Sequence, residues 1–198
     1  MALPARLIGI MGGSFNPVHS GHIMLASWLA QYAGIDSVRL MLSPANPLKT
    51  DRHDMASDSH RLEMLRIACR GYDRIAPTDI ELSLPRPSFT INSLNELSRR
   101  HPDCRFRLII GSDNWLIFDR WRDHSEIIER YAPIIYPRPG YIVDPSALPQ
   151  GATLVDAPSI EISSTFIRSA IARGDDMKAF LPPGVDEYIR VNHLYTNP

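Results

Sequence analysis

Cysteine is scarce: Cys69 and Cys104 are the two in 198 residues, and no Cys-x-x-Cys pair occurs. A disulfide framework and a cysteine-based zinc site are therefore excluded as organising devices. Neither sign of charge is in excess. Against 21 Lys and Arg stand 22 Asp and Glu, for a formal net charge of -1. A dedicated nucleic-acid-binding protein would carry a basic surplus, whereas a small anionic ligand needs only a few local donors. No apolar run approaches the ~18 residues of a membrane span. The apolar stretch near the N-terminus is too short for a secretion signal. The expectation is a soluble, cytoplasmic chain with neither membrane nor nucleic acid as a partner. Internal repeats and low-complexity tracts are lacking as well.

What is present is ordinary globular composition. Hydrophobic residues make up 44% and charged residues 22%, which excludes disorder as a description of the chain. The length predicts one domain over residues 1–198, with a small C-terminal helical portion from about residue 160. Arg6 to Met11 is a short apolar run ending in glycine and reads as a buried strand. Gly21 to Ala33 carries Ile23, Leu25, Ala26, Leu29 and Ala30 at helical spacing, and Gly34 closes it. Ser37 to Leu42 is a second strand, completing a βαβ unit with parallel strands. The alternation continues. Helices are predicted over Asp58–Arg70, Ser88–Arg100, Glu126–Tyr131, Ser163–Arg173 and Val185–Leu194. Extended segments are predicted over Arg74–Leu84, Arg105–Ile110, Ala132–Tyr136 and Thr153–Val155. Pro137 to Gly151 reads as loop. The expected fold is α/β: a three-layer, Rossmann-like arrangement with a central, mostly parallel sheet and helices on both faces. Ligands of such sheets sit beyond the carboxyl ends of the strands.

The first strand runs into GGSFNPVHSGH, Gly12 to His22, directly before the first helix. Gly12 and Gly13 allow close backbone approach to a ligand. The helix N-terminus offers free N–H groups and a positive dipole to an anion. His19 and His22 are three residues apart, so both rings can face one ligand. A plain Gly-rich turn with two surface histidines competes with this reading, as does a zinc pair, for which no third ligand is evident. A dehydrogenase-type loop would need G-x-G-x-x-G, which is missing. A second concentration of donors is ISSTFIR, Ile162 to Arg168. Ser163 or Ser164 can cap a helix there, and Arg168 falls one turn in. Taken alone, that segment could be an ordinary capped helix with a solvated arginine.

The first loop resembles the GxFxPxHxGH signature of the nucleotidylyltransferase superfamily, at Gly13, Phe15, Pro17, His19, Gly21 and His22. The second resembles the ISSTxxR signature of the same superfamily. Between them lie NPLK (Asn46–Lys49), PSFT (Pro87–Thr90), GSDN (Gly111–Asn114) with Trp121 seven residues beyond Asn114, and RPGY (Arg138–Tyr141). Their order is similar to that of the bacterial nicotinate mononucleotide adenylyltransferases. Phe89 replaces a usual tyrosine and Leu48 a common histidine. The resemblance implies adenylyl transfer from ATP to nicotinate mononucleotide, with release of pyrophosphate, in NAD synthesis. It implies catalytic roles for His19, His22 and Arg168. It implies ATP and phosphate binding by Gly12, Gly13, Ser14, Phe15, Lys49, Gly111, Asp113, Ile162, Ser163 and Ser164. Nicotinate mononucleotide would be received by Asn46, Thr90, Trp121 and Arg138. Mg²⁺ would arrive with ATP, bridged through phosphate oxygens, with no protein residue assigned to a metal. A homo-oligomer is compatible with the sequence. Two rival functions stay open: a pantetheine-phosphate adenylyltransferase, and a non-catalytic nucleotide-binding regulator.

Overall fold

The computed structural model describes residues 5–44 and 55–196. The strands are β1 (Arg6–Gly13), β2 (Ser37–Leu42), β3 (Ile75–Thr78), β4 (Cys104–Gly111), β5 (Ile134–Tyr136) and β6 (Thr153–Leu154). The helices are α1 (Ser20–Tyr32), α2 (Asp58–Ala68), α3 (Thr90–Arg100), α4 (Ser112–Trp115), α5 (His124–Tyr131), α6 (Ser164–Ala172) and α7 (Val185–Val191). The strand order is β3-β2-β1-β4-β5-β6 and every pairing is parallel. The chain works outward from β1 in one direction, then returns and works outward in the other. The order reverses between β1 and β4, and there the connections leave a crevice beyond the carboxyl ends of the strands.

Side-chain alternation along the strands sorts the core into two layers. Ile8 and Ile10 of β1, with Leu108 and Ile110 of β4, face one side and meet Ile91 and Leu94 of α3 and Ile127 of α5. Met11, Leu40, Leu42 and Ile109 face the other and meet Leu29 of α1 and Leu65 of α2. Ile167 of α6 and Val185 and Ile189 of α7 belong to that second cluster. Full burial of each such side chain contributes about 1.5–3 kcal/mol. Among the described residues, no helix is long and apolar enough to cross a membrane.

The largest departure from expectation is Arg74–Leu84. It is not one extended segment: β3 covers Ile75–Thr78 and a 3₁₀ turn comes after it over Ile80–Ser83. Pro77 lacks a ladder donor, which an edge strand such as β3 tolerates. Beyond Thr78 the chain turns so that Ile80 and Glu81, adjacent in sequence, are both buried. A strand would have sent them to opposite faces. Several short elements carry no signal in the sequence, among them the single turn α4 and a 3₁₀ turn at Phe118–Arg120. Both are too short to show a period.

Candidate active site

The loop after β1 folds back under α1. His19 is the N-cap residue of that helix, and its backbone N–H donates to His22 Nδ1 at 3.2 Å. That bond makes Nδ1 of His22 an acceptor, so in the neutral ring the proton sits on Nε2. The two imidazoles stack with centroids 3.7 Å apart, and Phe15 packs edge-on against His22 at 5.0 Å. Burial, with the Arg138 guanidinium adding to it, lowers His19 to about 4. Burial also pushes His22 well below its ordinary value, reinforced by His19 and then Arg138. Both rings are therefore neutral N–H donors at neutral pH. Gly21 makes the stack fit: a Cβ there would lie 3.1 Å from His19 Nδ1 and 3.1 Å from Ile160.

Two cavities flank the reversal point. One, of about 210 Å³, is lined by His19, His22, Arg138, Ile162, Ser163 and Ser164 among others. The two sequence-separated motifs thus meet. Ser164 Oγ donates to Pro17 O at 2.9 Å and Arg168 Nη1 to Asn16 O at 2.9 Å, so the start of α6 is fastened to the loop after β1. Ser163 caps α6 by accepting from Phe166 N at 3.1 Å. The other cavity, of about 170 Å³, is lined by Gly12, Gly13, Ser43, Glu81, Thr90, Gly111 and Trp121 among others. Tyr136 borders both. Trp121 is half-buried, with its ring 5.2 Å from Phe118.

Most residues expected at the site converge on these two spaces, but their division differs in places. Arg138, expected beside the mononucleotide, lines the histidine cavity. Gly12, Gly13 and Gly111, expected on the ATP side, line the cavity that holds Thr90 and Trp121. Asp113 Oδ1 lies 3.7 Å from Arg138 Nε. Among the described residues, this oxygen and His19 Nδ1 are the buried side-chain polar atoms with no hydrogen-bond partner. Polar atoms left in that state beside a cavity are suited to a ligand. Gly111 makes the Asp113 position possible, because a Cβ at 111 would fall 2.3 Å from Asp113 Oδ1. Asn46 and Lys49 lie outside the described residues.

Three participants were missed by sequence reasoning. Glu81 is buried in the wall of the smaller cavity, where Ser93 Oγ donates to it at 3.0 Å, and burial raises its carboxyl above the ordinary range. It sits between two apolar residues and gives no periodic signal. Tyr136 ends β5 and is visible only once strand order is known. Arg61 carried a signal: it shares the apolar face of α2 with Met64 and Leu65, where a charge is out of place.

A parallel sheet in this order, with a glycine-rich loop and paired neutral imidazoles at its reversal point, defines a nucleotidylyltransferase-type α/β protein. Comparison with known proteins makes this specific. Residues 10–170 match the cytidylyltransferase-like family model. The chain is 48% identical over 177 residues to the "Probable nicotinate-nucleotide adenylyltransferase" of Bacteroides fragilis, covering 89% of this chain and 88% of the relative. With the protein of the same name from Bacteroides thetaiotaomicron it shares 47% over 182 residues, covering 92% and 90%. The chain belongs to the cytidylyltransferase-like family and, within it, to the nicotinate-nucleotide adenylyltransferases. Its fold is that of the Plasmodium falciparum nicotinic acid mononucleotide adenylyltransferase solved with NaAD, at TM-score 0.77 and 22% identity, over 96% of this chain and 97% of that one.

Proposed function

We propose that this protein transfers the adenylyl group of ATP to nicotinate mononucleotide, releasing pyrophosphate and forming nicotinate adenine dinucleotide, a step in NAD synthesis. The observation that carries the reading is the pair of cavities meeting at the reversal point, with the His19–His22 stack in one and Thr90 and Trp121 in the other. ATP would occupy the histidine side and the mononucleotide the tryptophan side. Its 5'-phosphate would then meet the α-phosphorus where β1 and β4 end.

The acceptor is a phosphate monoester, already an anion at neutral pH. Attack on the α-phosphorus forms one P–O bond as the bond to pyrophosphate breaks, and no side chain has to take a proton. Catalysis is then positioning and charge stabilisation. His22 supplies a neutral Nε2–H to the transferring phosphate, and His19 a second neutral ring. Neutral rings suit this work: they strengthen as donors when charge builds, without the desolvation cost of a buried imidazolium. The amides of Ser14 and Phe15 receive the α-phosphate. The first-turn amides of α6, with Arg168 and Lys49, hold the triphosphate and the leaving pyrophosphate. Arg138 joins them, since it faces the histidines. Asp113 accepts from ribose hydroxyls through Oδ1, which has no hydrogen-bond partner within the protein. Trp121 stacks on the pyridine ring, Thr90 at the start of α3 receives the nicotinate carboxylate, and Asn46 is assigned to the same substrate. Mg²⁺ would enter with ATP rather than on a dedicated protein site. Its charge would help offset that of the departing pyrophosphate, beside Arg168 and Arg138.

The test is an acceptor panel. Purified protein with MgATP should release pyrophosphate with nicotinate mononucleotide and form the dinucleotide. Turnover with 4'-phosphopantetheine instead would transfer the protein to the pantetheine branch. No release with any acceptor would favour the regulator.

A further inference from the structure

We propose that Arg61, outside both signature motifs and lining neither cavity, is a positioning residue for the transfer: it fixes the Ser14–Phe15 peptide so that the Phe15 N–H faces the phosphate. This rests on the adenylyl-transfer reading and deepens it.

Arg61 is completely buried on α2. Nε donates to Ala56 O at 3.1 Å, and Nη1 donates to Ser43 O at 2.9 Å and to Ser14 O. Nη2 pairs with Asp58, whose other oxygen accepts from Arg86 at 3.1 Å. A buried guanidinium is costly, and an apolar side chain would fill the same volume at less cost. The bonds to Ser43 and Ala56 could serve as a structural staple. The bond to Ser14 does more, because the next residue is Phe15.

Phe15 has φ = 44°, in the left-handed region that a bulky residue enters only under constraint. Arginines grip the carbonyls on both sides of it: Arg61 takes Ser14 O and Arg168 takes Asn16 O. In a planar trans peptide the C=O and the adjoining N–H point in opposite directions. Drawing Ser14 O inward to Arg61 therefore turns the Phe15 N–H away from the core. The Phe15 ring, against His22, ties that peptide to the imidazole pair. An oriented amide costs no reorganisation when charge develops on the phosphate, and small misplacements of such a donor are expensive in rate.

The wild-type protein supplies the first readout. In amide NMR spectra, adding MgATP should move the Phe15 N–H resonance downfield and protect it from exchange. An unchanged Phe15 amide at ATP saturation overturns the proposal. Two variants supply the second. Arg61→Lys keeps the charge but loses the planar fork. Asp58→Asn keeps the guanidinium inside and loosens its Nη2 anchor. Arg61→Lys should lower kcat by about 10²-fold, and Asp58→Asn by a few-fold. In both, KM for the mononucleotide should stay near wild type and the Phe15 response to ATP should weaken. A purely structural Arg61 would instead lower Tm and leave kcat per folded site intact, and that result in either variant overturns the proposal. The wild-type acceptor panel, run in parallel, separates these outcomes from failure of the functional reading itself.

Discussion

The two cavities at the reversal point are built in different ways. The histidine side is assembled from three short stretches, the start of α1, the end of β5 with the loop after it, and the approach to α6, and Ser164 and Arg168 pin α6 to the loop after β1. It combines two neutral imidazoles with the Arg138 guanidinium and the hydroxyls of Ser163 and Ser164. The tryptophan side is gathered from β1, β2, the turn after β3, α3, β4 and β5, with one residue from most of them. Its wall includes a buried carboxyl, and its apolar contact is a half-buried indole. A site that handles phosphate can be carried by local sequence, because helix ends and tight loops make anion sites by themselves. A site that selects an acceptor needs surfaces from several elements, because it must match a shape.

Breaking the histidine side should give the largest effect. His22→Ala should lower kcat by roughly 10²–10³, the scale of losing one preorganised donor, with Tm near wild type. Steady-state kinetics beside a thermal melt would check this, and near-full turnover would remove His22 from the mechanism. Next is the pH dependence of stability. His19 is lowered from 6.5 to about 4, so between those values the unfolded chain binds a proton that the folded chain refuses. Stability should then fall as pH drops from about 6.5 towards 4, by about 3 kcal/mol for this residue. Denaturant titrations of wild type and His19→Gln across that range would measure it, and the variant should show a shallower decline. Equal slopes would mean His19 is not held neutral.

The tryptophan side should respond more modestly and more selectively. Trp121→Ala should weaken mononucleotide binding by about 1–3 kcal/mol, the scale of stacking a base on an aromatic ring, with ATP binding unchanged. Trp121→Phe should recover part of the loss. Titrations with each substrate would decide it. Equal weakening of both substrates, with a large drop in Tm, would assign Trp121 to the core beside Phe118 instead.

The same contrast explains what the sequence made legible. The strand–loop–helix unit from Arg6 to Leu42 and the cap at Ser163 are local: glycine, capping hydroxyls and helical spacing act within a dozen residues, and both lie where expected. Glu81 and Tyr136 became visible only through strand order, which sets elements distant in sequence side by side. Arg138 shows the intermediate case. Its loop was identified, but which cavity it faces depends on how β5 sits against β4. The turn at Ile80–Ser83 was missed because an alternating pattern is shared by a strand and by a short turn that buries two neighbours.

In the proposed transfer the two cavities present both substrates at once, so that the acceptor phosphate attacks ATP directly while the histidines only donate. The stereochemical course at phosphorus tests this most directly. With ATP made chiral at the α-phosphorus by sulfur substitution, one in-line displacement inverts configuration. Inversion in the dinucleotide product is the predicted result. Retention would require two displacements, hence an adenylyl group held on His19 or His22, and would rule out direct attack by the acceptor phosphate.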